Sequence, residues 1–380
     1  MQFADLKPAY QGFVRDRLRR AGFQPETFHL DIPPQDEMFN RGVLPGYPGR
    51  PGAAVYRYIE SALRTFDVYG RLAESIGGFG QIRRALDFGS GYGRLTRALV
   101  HRVEPRRIWA CDIYAEAVAW QAETFGVNGL VSVSDPDRFA LEQEHEVVFA
   151  ASVFSHLPDG LFQRWLARLY DLVSPEGLLA FSVHDASFAP GDQPIGAAGI
   201  GYGLWSESQT LDPAIYGMSY VTVEYVTAAI ASACGDDAAR NLRRYPRALF
   251  ESQDLYVVPK ARLGAQSHDI TIVPIGGFVG QPPADCWVGW GLDSNTGCQI
   301  VRAELFVDGR PVASAVPTPD NHAVMKYFPG APNIAVAWAF PRIDVGADTP
   351  LRVDLISSSG TIGHCYALAG AMADGGLVRS

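Results

Sequence analysis

The sequence lacks the features that mark membrane-spanning, exported and disulfide-rich proteins. No apolar run approaches the ~18 residues that cross a bilayer, and the first residues lack the basic and apolar regions of a secretory signal. The five cysteines include no Cys-x-x-Cys pair, which indicates thiols rather than a zinc or disulfide framework. We therefore expect a cytoplasmic protein with no membrane partner.

Basic side chains are also scarce. Lysine and arginine number 32 against 41 acidic residues, which gives a net charge of −9. Nucleic-acid-binding proteins usually carry a basic stripe, because contacts with phosphates supply most of their affinity. The basic cluster at residues 240–247 is too small to form such a stripe, so the sequence predicts no nucleic-acid partner.

Changes in pattern divide the 380 residues into three predicted domains. Residues 1–80 have helical spacing interrupted by proline and glycine, which predicts a helical cap. Residues 81–262 alternate strand and helix at short spacing, which is typical of the α/β class with a Rossmann-like, doubly wound parallel sheet. Residues 263–380 contain short alternating runs and an Asp308-Gly309 turn, which predict a C-terminal antiparallel β-sandwich.

Five strands are predicted in the middle domain before a long connection. They lie at residues 85–88, 107–112, 130–134, 146–151 and 177–183. The connection, at 186–220, is rich in glycine and proline and has no periodicity, which is typical of a functional lid or of a disordered segment. A helix at 223–234 and two strands, at 241–251 and 254–258, are expected to close the sheet.

A glycine-rich loop follows the first predicted strand and contains Gly89, Gly91 and Gly93. Glycine lets the backbone pass close to a bound nucleotide, and the start of the next helix offers unpaired N–H groups. A tight turn without a ligand would use the same residues. The loop alone therefore leaves both interpretations open.

Three acidic residues favour a bound nucleotide. Asp87 precedes the loop and could support it, Asp112 ends the second strand, and Asp135 follows the third. Parallel strands end at one edge of a sheet, where open α/β sheets bind ligands, and an acid after the second strand commonly accepts hydrogen bonds from ribose hydroxyls. The sequence therefore predicts that these acids converge on one crevice.

The segment Leu-Asp-Phe-Gly-Ser-Gly-Tyr-Gly-Arg at 86–94 resembles the first motif of class I S-adenosylmethionine-dependent methyltransferases. The resemblance implies S-adenosylmethionine as the cofactor. It places the three glycines along the amino-acid part of the cofactor, Asp112 at the ribose and Asp135 near the adenine amine. It spans roughly residues 50–260.

Residues 150–158, which include Ser152, are similar to the family's fourth motif, where the chain leaves the fourth strand beneath the transferred methyl group. That similarity makes Ser152 a cofactor-binding candidate. The segments 216–221 and 253–257 resemble methyltransferases that act on sugars and secondary metabolites. Fourth strands in this family often begin with Phe-Asp, whereas this chain has His145-Glu146. The acid at this position tends to be structural.

Two alternatives compete with this interpretation. A nicotinamide-dependent oxidoreductase uses the same fold, but its fingerprint requires a glycine where this chain has Arg94. A catalytically silent protein could keep the fold for cofactor binding or assembly. The complete loop and its acids favour an active methyltransferase.

Two histidines are candidates for the general base that a hydroxyl acceptor needs. His156 follows the fourth strand and His184 ends the fifth, and the ordinary pKa of histidine lies near neutrality. Asp185 is expected to orient His184. The same pair could ligate a metal, but two ligands without partners predict no metal site.

The predicted sandwich contains no arrangement of catalytic residues. Trp287, Trp290 and Trp338 are expected in its core, although a sugar-binding platform would use the same residue type. This domain is also the candidate surface for a homo-oligomer. The predicted acceptor is a small molecule or glycan, and the sequence leaves O- and N-methylation open.

Overall fold

The computed structural model describes residues 1–206, 208, 210–250, 252–261, 275–278, 285–293, 298–319, 325, 335–369 and 378–379. The chain divides into two compact units. The first comprises Met1, Phe28–Pro45 and Ser61–Ile270, and the second comprises Gln2–Thr27, Gly46–Glu60 and Thr271–Ser380. Residues 1–80 are thus shared between the units, and the three-domain division stays a prediction.

A mostly parallel sheet forms the centre of the first unit. Its strands are β1 Ala85–Phe88, β2 Ile108–Asp112, β3 Asn128–Val131, β4 His145–Ala150, β5 Val173–Asp185, β6 Ile200–Gly203, β7 Met218–Val221, β8 Arg243–Leu249 and β9 Gln253–Pro259. The order β3-β2-β1-β4-β5 is parallel, β9 runs antiparallel to β5, and β8 pairs with β9. The predicted Rossmann-like fold is confirmed.

Local signals set the ends of several helices. The helices are α1 Pro8–Arg20, α2 Pro51–Ser75, α3 Thr96–Leu99, α4 Ala115–Phe125, α5 Asp159–Asp171, α6 Val223–Cys234 and α7 Asp236–Asn241. Helix α4 ends where Gly126 adopts a left-handed φ of 69°, and α6 begins where the Thr222 hydroxyl oxygen accepts the Tyr225 N–H at 3.2 Å. Helix α5 buries Phe162 and Trp165 in the core beside the sheet.

The connection at 186–220 contains more regular structure than its sequence predicts. Strands β6 and β7 form an antiparallel hairpin in this segment, and β7 extends the main sheet by pairing parallel to the end of β5. Tyr220 lies opposite His184, and Val221 opposite Asp185. Glycine-rich strands escape a search for periodicity because they offer few side chains that alternate.

Two antiparallel sheets lie in the second unit. Their strands are β10 Ile275–Phe278, β11 Cys286–Leu292, β12 Ile300–Val307, β13 Arg310–Ala315, β14 Thr318–Pro319, β15 Val336–Pro341, β16 Pro350–Ser357, β17 Ile362–Leu368 and β18 Val378–Arg379. One sheet has the order β14-β15-β11-β10-β18 and the other β13-β12-β16-β17. The Asp308-Gly309 turn joins β12 and β13 with positive φ at both residues, as predicted.

The three tryptophans of this unit are buried. Trp287 is 0% exposed, Trp338 2% and Trp290 5%. The indole N–H of Trp338 donates to the Trp290 carbonyl oxygen at 3.1 Å, which satisfies its polar atom inside the core. Trp287 and Trp338 pack with apolar residues of both sheets, including Leu355. The sugar-platform interpretation is therefore wrong, and the core interpretation is confirmed.

A network of charged residues connects α1 with strands β16 and β17 in the second unit. Asp16 on α1 accepts hydrogen bonds from the Tyr366 hydroxyl at 3.0 Å and from Arg352 at 3.3 Å. Arg352 also donates to Asp354 at 2.7 Å, and His364 Nδ1 lies 2.7 Å from the same carboxylate. The buried Arg352 is thus held between two carboxylates.

Over the residues that the structure describes, no helix has the length and apolar character needed to span a membrane.

Candidate functional site

The glycine loop after β1 has left-handed backbone conformations that would be strained for residues other than glycine. Gly89, Gly91 and Gly93 have φ values of 73°, 52° and 71°. A Cβ at Gly89 would overlap the side chain of Val153, and one at Gly93 would lie 2.7 Å from Phe125. No atom of the described structure lies within 4 Å of a Cβ built at Gly91. The loop is therefore packed at both ends and open in the middle.

Asp112 at the end of β2 holds this loop in place. One of its carboxylate oxygens accepts the Gly91 N–H at 2.7 Å, and the other accepts the Tyr114 N–H at 3.0 Å. Burial raises the pKa of this carboxyl group, these backbone hydrogen bonds lower it, and the charge of Asp36 raises it, with a net increase. A carboxylate at the loop is the placement that the sequence predicts.

Asp87 lies beneath the loop and is 4% exposed. The Thr96 hydroxyl donates to its carboxylate at 3.1 Å. Burial raises the pKa of Asp87 to about 7, although the Thr96 hydrogen bond and the charge of Arg94 oppose the rise. The charge of Asp112 raises it further. A cation in the crevice would favour the ionised form of this carboxyl group.

Two buried side chains that the sequence interpretation missed also support the loop. Gln121 on α4 donates from Nε2 to the Ser90 hydroxyl oxygen at 2.8 Å and to the Gly91 carbonyl oxygen at 2.7 Å. Arg97 donates to the Gly93 carbonyl oxygen at 3.2 Å. Gln121 could have been identified from the sequence, because it is a polar residue on the face of an amphipathic helix that should be buried.

Asp135 follows β3 and caps a short turn. Its carboxylate accepts the Asp137 N–H at 3.2 Å and contacts Arg164 of α5 at 2.5 Å. The Asp135 side chain is 43% exposed in this ion pair. Its predicted contact with the adenine amine stays a prediction.

Tyr114 connects the cofactor edge to the segment between β6 and β7. Its hydroxyl lies 2.7 Å from the Ser208 hydroxyl and 2.8 Å from that of Thr210, and it donates to Glu37 at 3.1 Å. Residues 208 and 210 therefore lie beside the residue that follows the Asp112 strand. This contact is consistent with the lid that the sequence predicts for 186–220.

Ser152 follows β4 in a left-handed conformation with φ of 60°. Its N–H donates to the Ser182 hydroxyl oxygen at 2.8 Å, and its own hydroxyl donates to Gln253 Oε1 at 3.0 Å. A non-glycine residue with this φ costs energy and is enriched at functional sites. The chain thus leaves β4 in a fixed direction, with Val153 against the glycine loop.

His156 lies in the same loop and is 4% exposed. Its Nδ1 is 2.6 Å from the Gly217 carbonyl oxygen, and its ring stacks on Tyr216 with centroids 4.5 Å apart. A carbonyl oxygen can only accept, so Nδ1 carries the proton and Nε2 has the lone pair.

His184 ends β5 near His156, with ring centroids 6.5 Å apart. Burial lowers the pKa of His184 to about 4, the nearby His156 also lowers it, and a hydrogen bond to the Ser219 backbone opposes this shift. The predicted pair with Asp185 is not formed. Asp185 instead accepts the Ser187 N–H at 2.9 Å and contacts Arg244 at 3.1 Å. Successive side chains of a strand point to opposite faces, which separates the two residues.

Within the described ranges, no group of three or more His, Cys, Asp or Glu side chains is arranged to hold a metal ion.

Glu146 in β4 has hydrogen bonds that agree with the structural role expected for it. Its carboxylate accepts hydrogen bonds from the N–H groups of Arg83 and Arg84 at 2.9 and 2.7 Å. Glu146 therefore fixes the entry to β1.

Residues 86–179 match the family model of a methyltransferase domain. The match begins in β1, includes the glycine loop and Asp112, and ends in β5. This region is therefore similar to a methyltransferase domain. Its fold and its glycine loop agree with the resemblance drawn from residues 86–94.

Several solved structures are similar to this chain. One is 1,6-didemethyltoxoflavin-N1-methyltransferase from Burkholderia thailandensis with its substrate and S-adenosylhomocysteine, with 18% identity over 61% of this chain and 93% of that one and a TM-score of 0.37. A second is an O-methyltransferase family protein from the same organism, with 14% identity over 66% and 70% and a TM-score of 0.38. A third is an S-adenosylmethionine-dependent methyltransferase from Clostridium acetobutylicum, with 12% identity over 52% and 89% and a TM-score of 0.37.

The residues of the crevice beside the glycine loop fit S-adenosylmethionine. The open space beside Gly91 admits a ligand next to the loop backbone, where a side chain would intrude. The charge of Asp112 acts on Asp87, and that of Asp36 acts on Asp112. This concentration of acidic groups suits a cofactor that carries a sulfonium and an ammonium charge. When bound, the cofactor supplies a methyl group that its positive sulfur already activates.

Proposed function

We propose that the protein transfers a methyl group from S-adenosylmethionine to a hydroxyl group of a small molecule or glycan, with His156 as the general base. The observation that carries this proposal is the fixed tautomer of His156. The Gly217 carbonyl oxygen accepts a hydrogen bond from Nδ1–H, so in the neutral ring the lone pair is on Nε2.

The position of His156 suits this task. Val153, three residues earlier, packs against Gly89 of the cofactor loop, so the segment after β4 lies beside that loop. A neutral amine has a lone pair ready for attack, whereas a hydroxyl group must lose its proton. An oriented histidine beside the cofactor loop therefore favours an oxygen acceptor.

The protein would contribute mainly by positioning. Holding the acceptor in line with the methyl group can supply about 7–11 kcal/mol of the barrier. Asp112, Gly89, Gly91 and Gly93 would hold the cofactor, and Ser152 would fix the backbone that carries His156.

The test is methyl transfer from labelled S-adenosylmethionine to a panel of sugars, nucleotide sugars, phenolics and matched amines. The decisive variant is His156→Asn, whose amide nitrogen can keep the hydrogen bond to Gly217 while Nε2 is lost. We expect turnover to fall by ~10²–10⁴-fold with unchanged affinity for S-adenosylhomocysteine. The control is His101→Asn, because His101 stacks on Phe28 instead.

Unchanged turnover in His156→Asn would remove His156 from the reaction. Cofactor binding with no methyl transfer to any acceptor would favour the catalytically silent alternative. Preferential methylation of the amines would contradict the hydroxyl acceptor.

We also propose that residues 263–380 mediate self-association in the cytoplasm. Val316 is 83% exposed and Val301 45%, so this region presents apolar side chains to solvent. Light scattering of the full chain tests the proposal, and a monomer at all concentrations would contradict it.

A further inference from the structure

Strands β7 and β9 pair with opposite edges of β5. His184 on β5 pairs with Gln253 on β9 and with Tyr220 on β7. Strand β4 pairs with β5 only as far as Ala150, which lies opposite Phe181. Because β9 occupies one edge of β5, β7 takes the place of β4 on the other edge. The hairpin of β6 and β7 therefore lies beyond the end of β4, at the carboxyl edge where open α/β sheets bind ligands.

Backbone hydrogen bonds join this hairpin to the loop after β4. The Gly217 N–H donates to the His156 carbonyl oxygen at 2.9 Å, and the Ser219 N–H donates to the Ser155 carbonyl oxygen at 2.7 Å. Tyr220 follows directly, so its backbone is fixed against the loop that carries His156. Under the proposed function, Tyr220 therefore lies on the side of the site that receives the acceptor.

The half-buried ring of Tyr220 has neighbours on both sides. Its centroid lies 5.4 Å from that of His184, with 30° between the ring planes. On the other side, Gly201 of β6 lies opposite Tyr220. A Cβ at Gly201 would lie 3.0 Å from Ile195 and from the Pro194 carbonyl oxygen. These two residues thus occupy the space beside Tyr220 that a side chain of β6 would fill, which fixes the direction of the ring.

The Tyr220 hydroxyl has no hydrogen bond with any residue that the structure describes. Two other tyrosine hydroxyls of this region have one: that of Tyr202 donates to the Pro213 carbonyl oxygen at 2.6 Å, and that of Tyr225 donates to Asp159 at 2.6 Å. A half-buried hydroxyl group without a partner calls for an explanation. An oxygen atom of a ligand would supply the missing acceptor.

The surroundings of Tyr220 favour an uncharged ligand atom. Burial alone raises the pKa of Tyr220, so its hydroxyl keeps its proton and can donate it. Asp185, next to His184 along β5, points to the other face of the sheet, where it contacts Arg244 at 3.1 Å. A carboxylate or phosphate beside Tyr220 would lose water without gaining a cationic partner, which is costly. An uncharged oxygen atom needs only the hydrogen bond.

We propose that the Tyr220 hydroxyl donates a hydrogen bond to an uncharged oxygen atom of the methyl acceptor, close to the hydroxyl group that is methylated. The inference rests on the proposed function, because His156 locates the acceptor. The ring centroid of His184 lies 6.5 Å from that of His156 and 5.4 Å from that of Tyr220, so one small molecule can reach both residues.

The contact makes Tyr220 a specificity-determining residue. A site built to hydrogen-bond an oxygen atom rejects analogues that lack this atom, because its own polar group is then left unpaired. The favoured acceptors are compounds with two neighbouring uncharged oxygen atoms, as in the diols of sugars and catechols.

The first experiment compares matched acceptors. Catechol carries an uncharged oxygen atom beside its hydroxyl group, phenol lacks this atom, and salicylate carries a charged group there. For a sugar acceptor, methyl glucoside is compared with its deoxy analogues and with methyl glucuronide. We expect kcat/KM to be ~10-fold higher for catechol or methyl glucoside than for their analogues. Equal values, or a preference for the charged compounds, would overturn the proposal.

The second experiment removes the donor. Tyr220→Phe keeps the ring beside His184 and loses only the hydroxyl. We expect KM for the preferred acceptor to rise by ~10-fold and the preference over its deoxy analogue to disappear, with unchanged affinity for S-adenosylhomocysteine. The matched control is Tyr225→Phe, which also loses one tyrosine hydroxyl and should keep the KM and the preference of the unaltered protein. An unchanged KM and preference in Tyr220→Phe would contradict the role of Tyr220.

A binding measurement separates this inference from the proposed function. Calorimetry of the full-length protein with S-adenosylhomocysteine measures the affinity for catechol and methyl glucoside without methyl transfer. Binding that Tyr220→Phe weakens, without any methyl transfer, would contradict the proposed function and leave the Tyr220 contact standing. Methyl transfer with the same KM in Tyr220→Phe would contradict this inference alone. Neither binding nor methyl transfer with any of the sugars and phenolics would contradict both.

Discussion

Replacing Asp87 by asparagine would remove a buried carboxylate from beneath the glycine loop. The amide oxygen can still accept the hydrogen bond from Thr96, which lies 3.1 Å from the carboxylate. The substitution is nearly isosteric, so its main effect is on charge. It resembles permanent protonation of Asp87.

The expected gain in stability follows from the pKa of Asp87, which burial raises from 3.8 to about 7. Each pKa unit corresponds to about 1.4 kcal/mol, so ionisation costs the folded state at most about 4 kcal/mol. Because the folded state holds this proton more tightly than the unfolded state, stability decreases as pH rises from ~4 through ~7. Above pH 7, Asp87→Asn should therefore be more stable than the unaltered protein.

Chemical denaturation at pH 5 and pH 8 measures the difference in unfolding free energy between the two proteins. The gain should be largest at pH 8 and smaller at pH 5, and the exposed Asp171→Asn serves as the control. The same variant should bind S-adenosylmethionine on the order of tenfold more weakly at pH 8, because the cationic cofactor loses a nearby anion. A variant that is less stable at pH 8, or a gain that does not depend on pH, would refute the reasoning.

Three further predictions concern the loop, the lid contact and the second unit. Gly91 and Gly360 both have positive φ and open space at Cβ, so alanine at either position should cost ~1–2 kcal/mol of stability. Only Gly91→Ala should also weaken S-adenosylhomocysteine binding, by tenfold or more in calorimetry. Equal affinities of the two variants would contradict the site. Tyr114→Phe removes the hydroxyl contacts to the lid and should weaken S-adenosylhomocysteine binding by ~5-fold. The control is Tyr202→Phe, which should leave this affinity unchanged, because the Tyr202 hydroxyl donates to the Pro213 carbonyl oxygen at 2.6 Å. Burial raises the pKa of Asp354, but the contacts with His364 and Arg352 outweigh burial, so the net pKa is lowered. Asp354→Asn should therefore destabilise the protein by ~3 kcal/mol at pH 7. The loss should be much smaller below pH ~4, where the carboxylate is protonated. Urea titrations at both pH values would show this, and an equal loss at low pH would contradict it.

Local sequence was sufficient for much of the fold. The helix predicted at 223–234 is α6, and the strands predicted at 85–88 and 107–112 are β1 and β2, with one residue of difference in β2. Apolar periodicity and capping residues specify such elements because they act within a few residues. The glycine-rich hairpin of β6 and β7 was missed, because its pairing with the end of β5 supplies what its own sequence lacks.

The acceptor side of the site was less accessible from sequence. The interpretation paired His184 with Asp185 because they are adjacent, but His184 instead contacts Gln253, 69 residues away. Gln121 reaches the loop from a different element, 30 residues from Gly91. Hydrogen bonds of this kind depend on which strands become neighbours in the sheet, and no local pattern records that.

By itself the sequence predicted the Rossmann-like sheet and the glycine loop. A cofactor loop needs glycines for its backbone conformation and an acid near it, and this chain supplies them as Gly89, Gly91, Gly93 and Asp112. These residues lie close together in the sequence, so the pattern can be recognised along the chain. Only the tertiary structure decided the surroundings of the two histidines. His156 contacts a carbonyl oxygen on the segment before β7, and His184 contacts an amide on β9. A proton's position on an imidazole depends on the atoms around it, and those atoms are brought together only when the sheet forms.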